Sequence, residues 1–428
     1  MITRDRAAAE IGLANSRFLQ GCLNEHLRGS SRWNRLRDAY LLQAPPRRPR
    51  GEGLPDYRLY HAYPRYIVTM AASYLAGAAI VYQGKEETAL PLIHALSACN
   101  AAGTDLELAR QCALYGKGVE VIYADERAQP CTAALDPRCA FVVYSDDARN
   151  TPLFGVHYHP LQGENGLLCG FEAQVYTPRE RLTFRGKDIS SLFREGPVQH
   201  EPHYFGRVPL IEYWNNEEET GDVEGVMSLI EAYDALQSCR LNDQEQLSDA
   251  LLIVYGARLE TDEKGRTPAQ QLRQDKLLYL PDREAGAQYL VKQSGQGAEE
   301  MRKALERDIH KFSMIPDLSD EQFSGNVSGV AMKYKLLGLE QLARGKERWF
   351  REGLRERLRC FAHFLSVKGM KMPEAEEIRI LFTRSLPENA LETAQMIKTL
   401  EGMVPPSLLL SQLPFLDGQV EPDKKEEK

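Results

Sequence analysis

The sequence predicts an α+β protein assembled from more than one packed unit, and three observations carry that reading. The chain has 428 residues, beyond what a single hydrophobic core usually serves. From about residue 60 to 215, short runs of alternating or β-forming residues mix with helical stretches. After Asn215-Asn216 the apolar residues switch to a spacing of three and four, the period of helices, broken only by a small strand-rich insert. With 43% hydrophobic and 27% charged residues, the composition is that of a globular chain with ample apolar surface to bury.

Charge excludes one class of function and points to blocks of interest. Fifty-three Lys+Arg against 61 Asp+Glu give −8, which does not describe a basic protein that coats nucleic acid. Residues 1–58 nevertheless hold eleven arginines, no lysine and six acids, and residues 331–371 hold eleven Lys+Arg and four acids. Each block reads either as a solvated helix face or as a surface for a polyanion. The eight cysteines are scattered with no Cys-x-x-Cys pair, so neither a zinc ribbon nor a disulfide framework is indicated, and a reducing cytosol is expected. No apolar run follows the basic residues of the N-terminus, so no signal peptide is expected. The weakly polar run Ile67 to Tyr82 is short for a bilayer span and reads as a buried helix ending at Gly77, continued by a strand.

Taken in order, the Arg-rich start runs into a Pro/Arg/Gly stretch, Pro45 to Gly53, that excludes regular structure. Helices are expected near 64–76, 88–100 and Leu106 to Tyr115. Strands are expected near 78–82, at Gly118 to Tyr123, Ala140 to Tyr144, Val156 to His159, Phe171 to Tyr176 and Arg181 to Arg185. Asp222 is a candidate N-cap for a helix to about Asp249, whose Val223, Val226, Met227, Ile230 and Tyr233 form one stripe. Leu251 to Tyr255, a short helix Pro268 to Gln274, Leu277 to Leu280 and Tyr289 to Val291 make a compact α/β insert. A returning helix, Ala298 to Met314, carries the stripe Met301, Leu305, Ile309 and Phe312. Beyond a polar, turn-rich stretch, residues 330–365 read as one helix of about 54 Å, a strut or a rod kinked at Gly338, Gly345 or Gly353. A strand at Ile378 to Thr383 and helices at Asn389 to Glu401 and Ser407 to Gln412 follow, and the charged tail is expected to be disordered.

Chemical constellations are thin. Gly116-Lys117-Gly118 has no third glycine, so it reads as a turn rather than a nucleotide cradle. His157 and His159 share one side of a strand and would hold a metal only with further ligands, for which His200 and His203 are candidates. No Gly-x-Ser-x-Gly, His-Glu-x-x-His or phosphate-loop sequence is present.

The ordered features Phe205 to Tyr213, Asn215-Asn216, Leu229 to Asp234 with Ser238, and Ser328 to Tyr334 with Leu336 and Leu339 resemble the portal proteins of siphovirus-type tailed bacteriophages. Tyr74-Leu75-Ala76-Gly77, Leu114 to Gly118 and Leu386-Pro387-Glu388-Asn389 resemble the same family, so the likeness covers about residues 60 to 415. Ala78-Ala79 stand where the family commonly has a proline after the glycine. The segment after Met372 is short for the family, and the first 58 residues match none of its motifs.

The resemblance implies a portal-type fold, an Arg-rich N-terminal arm over 1–58 aside: an α/β wing over 59–221, stem helices at 222–249 and 297–316, and a small α/β clip at 250–296. It further implies a tunnel loop at 317–329, a long helix and wing return at 330–385, a short helical crown at 386–415 and a tail at 416–428. The sites it implies are the loop residues Asp317, Ser319, Asp320, Glu321, Phe323 and Asn326, the stem residues Val226, Ile230, Tyr233, Met301, Leu305 and Ile309, and the wing-stem junction at Asn215 and Asn216. It implies a ring of about twelve subunits at one capsid vertex, with no enzymatic activity, cofactor, metal or membrane. Double-stranded DNA would pass through the ring during packaging and ejection. Its other implied partners are the terminase large subunit, the major capsid and scaffolding proteins and a head-completion or adaptor protein, in the virion and, during assembly, the host cytoplasm. Two other classes stand beside it: a nucleic-acid-binding protein working through its basic blocks, and a metal-dependent enzyme using His157 and His159.

Overall fold

A computed structural model describes residues 1–13, 15–43, 55–163, 165–248, 251–255, 261, 267, 286–290, 296–318, 329–384 and 398–399. The chain divides into two compact units. One comprises Met1–Leu41, Tyr63–Gly225 and His310–Lys428, and the other Leu42–Ala62 and Val226–Ile309.

The first unit begins with β1 (Ile2–Arg4) and the helices α1 (Arg6–Gly12), α2 (Ser16–Leu27) and α3 (Ser30–Tyr40). It continues through α4 (Tyr63–Ala76), β2 (Val81–Gln83), α5 (Glu86–Ala98) and α6 (Ala101–Tyr115). Strands β3 (Lys117–Ala124), β4 (Pro130–Leu135), β5 (Ala140–Ser145), β6 (Pro152–Gln162), β7 (Leu168–Tyr176), β8 (Glu180–Gly186), β9 (Gln199–Pro202) and β10 (Leu210–Trp214) follow. One sheet has the order β1-β5-β6-β7-β8-β9, antiparallel except where β1 lies parallel to β5, and a second has the order β10-β3-β4.

The period of two along a strand sorts side chains into layers. Phe141 and Val143 of β5 join Leu19, Cys22, Leu23, Phe154, Val156 and Phe184 in a core beneath α1 and α2. Ala140, Val142 and Tyr144 on the other face meet Val119, Val121 and Leu210 between the two sheets. On β3 the alternate residue Ile122 joins a third core with Leu75, Leu92, Leu108, Cys112, Tyr213, Phe350, Leu354 and Phe361. Glu120 shares that alternate register and is fully buried, with Arg357 as its partner.

The Arg-rich first residues, set out as an arm without recognisable motif, are therefore folded over 1–41. Trp33 supplies one reason. Its ring and that of Trp214 hold the Lys117 ammonium 5.4 and 5.8 Å from their centroids, while Lys117 Nζ is 2.7 Å from Glu212 Oε1. His26 stacks between Trp33 and Phe141, and its Nε2–H donates to the Arg138 carbonyl at 3.1 Å. Burial, aided by Lys117, lowers the His26 pKa from 6.5 to about 3. A folded pKa below the unfolded one means that folding excludes a proton between those values. The stability is present above pH 6.5 and lost as pH falls toward 3. Acidification from pH 7.5 to 4.5 is expected to cost about 3 kcal/mol through His26, so unfolding midpoints at the two pH values should lie closer together in His26→Phe than in the wild type. Equal pH dependence in both proteins would refute this.

The second unit contains α7 (Met227–Ser248), a hairpin of β11 (Leu251–Tyr255) and β12 (Gly286–Leu290), and most of α8 (Gln296–Ser313). Of the expected insert, the helix 268–274 and the strand 277–280 lie outside the described residues.

Back in the first unit come α9 (Gly329–Lys335), α10 (Leu337–Val367) and β13 (Arg379–Leu381), which pairs antiparallel with β2. The expected long helix is thus interrupted at Leu336, one residue before α10 and two before Gly338, and runs straight through Gly345 and Gly353. Gly353 is needed for packing: a Cβ there would lie 2.5 Å from the Tyr213 ring. Lys398 and Thr399 are helical within the expected helix 389–401, whose remainder, like the crown helix at 407–412 and the tail, lies outside the described residues. Among the described residues no helix is long and apolar enough to cross a membrane.

Candidate functional site

The junction at Asn215 and Asn216 is a polar knot on which the chain leaves the sheets. The Asn215 main-chain N–H donates to the Gly116 carbonyl at 3.0 Å, and its side chain donates to Thr220 O at 2.9 Å and to Asp222 Oδ1 at 3.0 Å. Asn216 donates to Thr220 O and accepts from the Thr220 N–H, both at 2.9 Å. Gly116 has φ +85° and a Cβ would lie 2.0 Å from Glu219 O, so only glycine admits this close approach. Asp222, expected to cap the next helix, instead pairs with Lys346 of α10, both side chains buried. A 3-10 turn, Glu224–Val226, intervenes before α7, and the Glu224 carboxylate accepts from the Gly221 N–H at 2.6 Å and from Arg32. The reason is electrostatic: a buried lysine must have its counter-ion, and Asp222 supplies it.

In the second unit, residues 57–61 lie extended along α7. The N–H groups of Tyr57, Leu59 and His61 donate to Asn242 Oδ1 at 2.7 Å, Ser238 Oγ at 3.0 Å and Asp234 Oδ1 at 2.9 Å. Asn242 Nδ2 donates back to Tyr57 O at 3.0 Å, and His61 Nδ1 lies 2.6 Å from Asp234 Oδ1 with its ring edge-on to Tyr233. Two extended residues advance about 6.6 Å and four helical residues about 6.0 Å, so alternate strap residues meet successive turns of the helix. Val226, Ile230 and Tyr233 are buried, as their stripe predicts. On α8 the stripe divides: Ile309 is fully buried, Leu305 half-buried, and Met301 and Phe312 are 56% and 60% exposed. Arg240 of α7 pairs with Glu299 of α8 at 3.0 Å, and Arg302 with Glu299 and Glu306 at 2.9 and 2.7 Å.

Of the expected loop 317–329, Asp317 and Leu318 are described at one end and Gly329 at the other, whereas Ser319, Asp320, Glu321, Phe323 and Asn326 lie outside the described residues. The chain leading into it is fixed. Tyr66 OH donates to Pro316 O at 2.6 Å, and burial raises its pKa against an opposing main-chain bond from Leu318. The His310 Nδ1–H donates to Ile315 O at 3.0 Å, with the rings of Tyr63 and Tyr66 edge-on to its imidazole.

The histidines do not converge. His157 and His159 stand side by side with ring centroids 5.4 Å apart, and burial together with the neighbouring His159 lowers the His157 pKa to about 4. His200 lies 3.2 Å from Glu180, whereas His203 is held by the Thr177 carbonyl at 2.7 Å. Among the described residues no group of three His, Cys, Asp or Glu side chains is placed to hold a metal ion.

The strap contacts, the Tyr63-Tyr66-His310 cluster and the Lys346–Asp222 pair were not foreseen. The signal for the strap was Asp234, Ser238 and Asn242 at intervals of four, a polar row on a helix whose other residues do not demand it.

Comparison with known proteins places these features in context. The model of the phage portal protein family, SPP1 Gp6-like, matches residues 19–428. The portal protein of Bacillus phage SPP1 is 26% identical over 359 residues, covering 79% of this chain and 69% of that protein. The portal protein of Clostridium phage phiCD119 is 26% identical over 245 residues, covering 52% of this chain and 48%, about half, of that protein. Among solved structures, chains from the neck of the empty GTA particle, computed with C6 symmetry, and of the native GTA particle, computed with C12 symmetry, are each 13% identical. They cover 82% of this chain and 90% and 88% of their own lengths, with TM-scores of 0.45 and 0.42. With the family model matched along nearly its whole length, this chain belongs to the phage portal protein family of the SPP1 Gp6-like type.

Proposed function

We propose that copies of this chain close into a ring at one capsid vertex, through which double-stranded DNA enters during packaging and leaves at ejection. Family membership supports the portal role, and one feature of the chain supports the ring: α8 leaves Met301 and Phe312 of its apolar stripe in solvent. A head-to-tail ring covers such a stripe with the neighbouring copy, because each subunit then offers two different faces and rotation closes the set. In this reading residues 59–221 are the wing, α7 and α8 are the stem, the β11–β12 hairpin belongs to the clip, and α9 and α10 form the long helix. Residues 386–415 form the crown. The terminase large subunit and a head-completion protein dock on the clip, capsid and scaffolding proteins meet the outer ring, and the chain itself catalyses nothing.

Residues 317–329 are then the segment facing DNA. Their sequence combines Asp317, Asp320 and Glu321 with no lysine or arginine, so in this reading the segment repels phosphates instead of holding them. Deleting Asp320 to Ser324 is expected to leave rings visible by negative-stain imaging while lowering the DNA packaged per capsid. A deletion mutant that fills capsids at the normal rate would remove the loop from this role, and a wild-type chain that forms no ring would remove the reading altogether.

A further inference from the structure

Two ion pairs on α10 repeat at an interval of seven residues. Arg344 Nε donates to Glu340 Oε1 at 2.7 Å and Arg351 Nη2 to Glu347 Oε1 at 3.0 Å, each pair one turn apart within the helix. The other oxygen of both carboxylates takes one arginine from outside the helix. Arg384, three residues beyond β13, donates through Nε to Glu340 Oε2 at 3.0 Å and through Nη2 to Glu347 Oε2 at 2.8 Å. The Tyr74 hydroxyl of α4 also donates to Glu340 Oε2, at 2.9 Å, and the centre of its ring lies 5.5 Å from the Arg384 guanidinium. Phe382 is held as well, its ring centre 5.6 Å from the Arg351 guanidinium. The side chains of Glu340, Glu347 and Arg384 are each less than a quarter exposed, so solvent screens this bridge less than it does a pair on an open surface. All of these residues belong to the first unit.

We propose that Arg384 is a staple that keeps α10 unbroken across Gly345. Glu340 and Glu347 are two turns apart, about 10.5 Å along the axis, and Gly345 lies between them. Gly345 is exposed and a Cβ there would meet nothing, so packing does not call for a glycine, and the helix carries a weaker position than alanine would give it. The start of α10 is weak in two further respects. Leu336 before it supplies no side-chain cap, and only Leu339, Ala343 and Lys346 are buried ahead of Phe350, whereas most of the buried residues of the helix lie between Phe350 and Leu365. A helix built in this way opens from its first turns as far as its glycine unless something holds it. The hold comes from the chain after β13, so displacing Arg384 frees the first turns of α10 to bend at Gly345 while the better-buried remainder stays in place. The staple is a device of the single subunit and does not depend on the ring or on DNA passage.

The test uses the full-length protein and amide hydrogen exchange resolved over residues 341–347 and 356–365. Arg384→Gln loses two charge-assisted bonds and is expected to speed exchange at least about tenfold over 341–347 but less than about twofold over 356–365. Glu347→Gln cuts the same bridge from the helix side, serves where Arg384→Gln folds poorly, and is expected to give the same local pattern. Adding Gly345→Ala to Arg384→Gln is expected to slow exchange over 341–347 again by about fivefold, because it strengthens the weak helical position. Arg344→Ala loses only a pair within the helix, from a more exposed side chain, and is expected to change the rate by less than about threefold. Wild-type rates over 341–347 in both bridge variants, or equal acceleration over the two stretches, overturn the staple. Acceleration confined to 341–347 that Gly345→Ala leaves unchanged overturns the hinge at Gly345.

Discussion

Arg357→Ala is expected to destabilise the first unit by about 3–5 kcal/mol, the cost of leaving buried charges without their partner. Arg357 is fully buried; its Nη1 donates to Asp105 Oδ1 at 2.6 Å and its Nε to Glu120 Oε1 at 2.7 Å. Glu120 also accepts from Tyr213 OH at 2.7 Å and from the Thr132 hydroxyl, and the guanidinium lies 5.8 Å from the centre of the Tyr213 ring. These groups come from α6, β3, β4, β10 and α10, so one side chain of the long helix joins most of the surrounding layers. One guanidinium faces two carboxyl groups, and burial raises the pKa of both while Arg357 opposes that rise. Two acids share one cation, so the two kinds of substitution should differ strongly. Asp105→Asn keeps the guanidinium beside Glu120 and is expected to cost about 1 kcal/mol or less, whereas Arg357→Ala leaves two buried carboxyl groups without the cation that opposes the effect of burial on them. Chemical unfolding of the two variants measures the contrast. Equal losses would mean that Arg357 acts through packing and not through charge.

That cluster also shows where sequence reading stops. The strands β3, β5, β7 and β8, and the helices α4 and α6, were legible because one face of each is apolar at the proper period, and their observed limits differ from the expected ones by a few residues. Glu120 broke that pattern by sitting on the buried face of β3, and nothing local announces a partner 237 residues away. The first 41 residues were illegible for a related reason. Their few core residues, Ile2, Ala9, Leu19, Cys22, Leu23, Trp33 and Leu36, are spread among arginines, and their burial depends on sheets formed much later in the chain. Strand β4, Pro-Cys-Thr-Ala-Ala-Leu, is poor in β-branched and aromatic residues and exists because β3 pairs with it from Val119 to Ala124. The break at Leu336 fell close to one of the three glycines considered, but the other two lie within an unbroken helix, where Gly353 serves the approach of Tyr213. At the candidate sites, Asn215 and Asn216 were visible through the resemblance. The hydrogen bonds that give them their rigidity depend on Gly116 and Thr220, and only the fold places those residues together.

The stripe on α8 yields the largest expected effect on assembly. Met301, Leu305, Ile309 and Phe312 fall within about 80° of one another around the helix, a single face by the 100° step per residue. Within the subunit that face buries Ile309 completely and leaves Met301 and Phe312 more than half exposed, so they contribute little to the fold of one chain. Covered by a neighbouring copy, the exposed part of each would gain about 1–2 kcal/mol from leaving water. Met301→Asp with Phe312→Asp removes that gain and would place two carboxylates in an apolar contact, which costs further free energy unless they find partners. The combined loss of at least about 2 kcal/mol corresponds to roughly thirtyfold or more weaker association at each subunit boundary, and a closed ring needs every boundary at once. Native mass spectrometry at micromolar concentration is expected to show rings for the wild type and monomers for the double variant. The unfolding midpoint of the two chains, compared as monomers in dilute solution, should stay the same because neither side chain is buried in the subunit. Intact rings of the double variant would show that α8 faces solvent or DNA in the assembly and that the subunits meet through other surfaces.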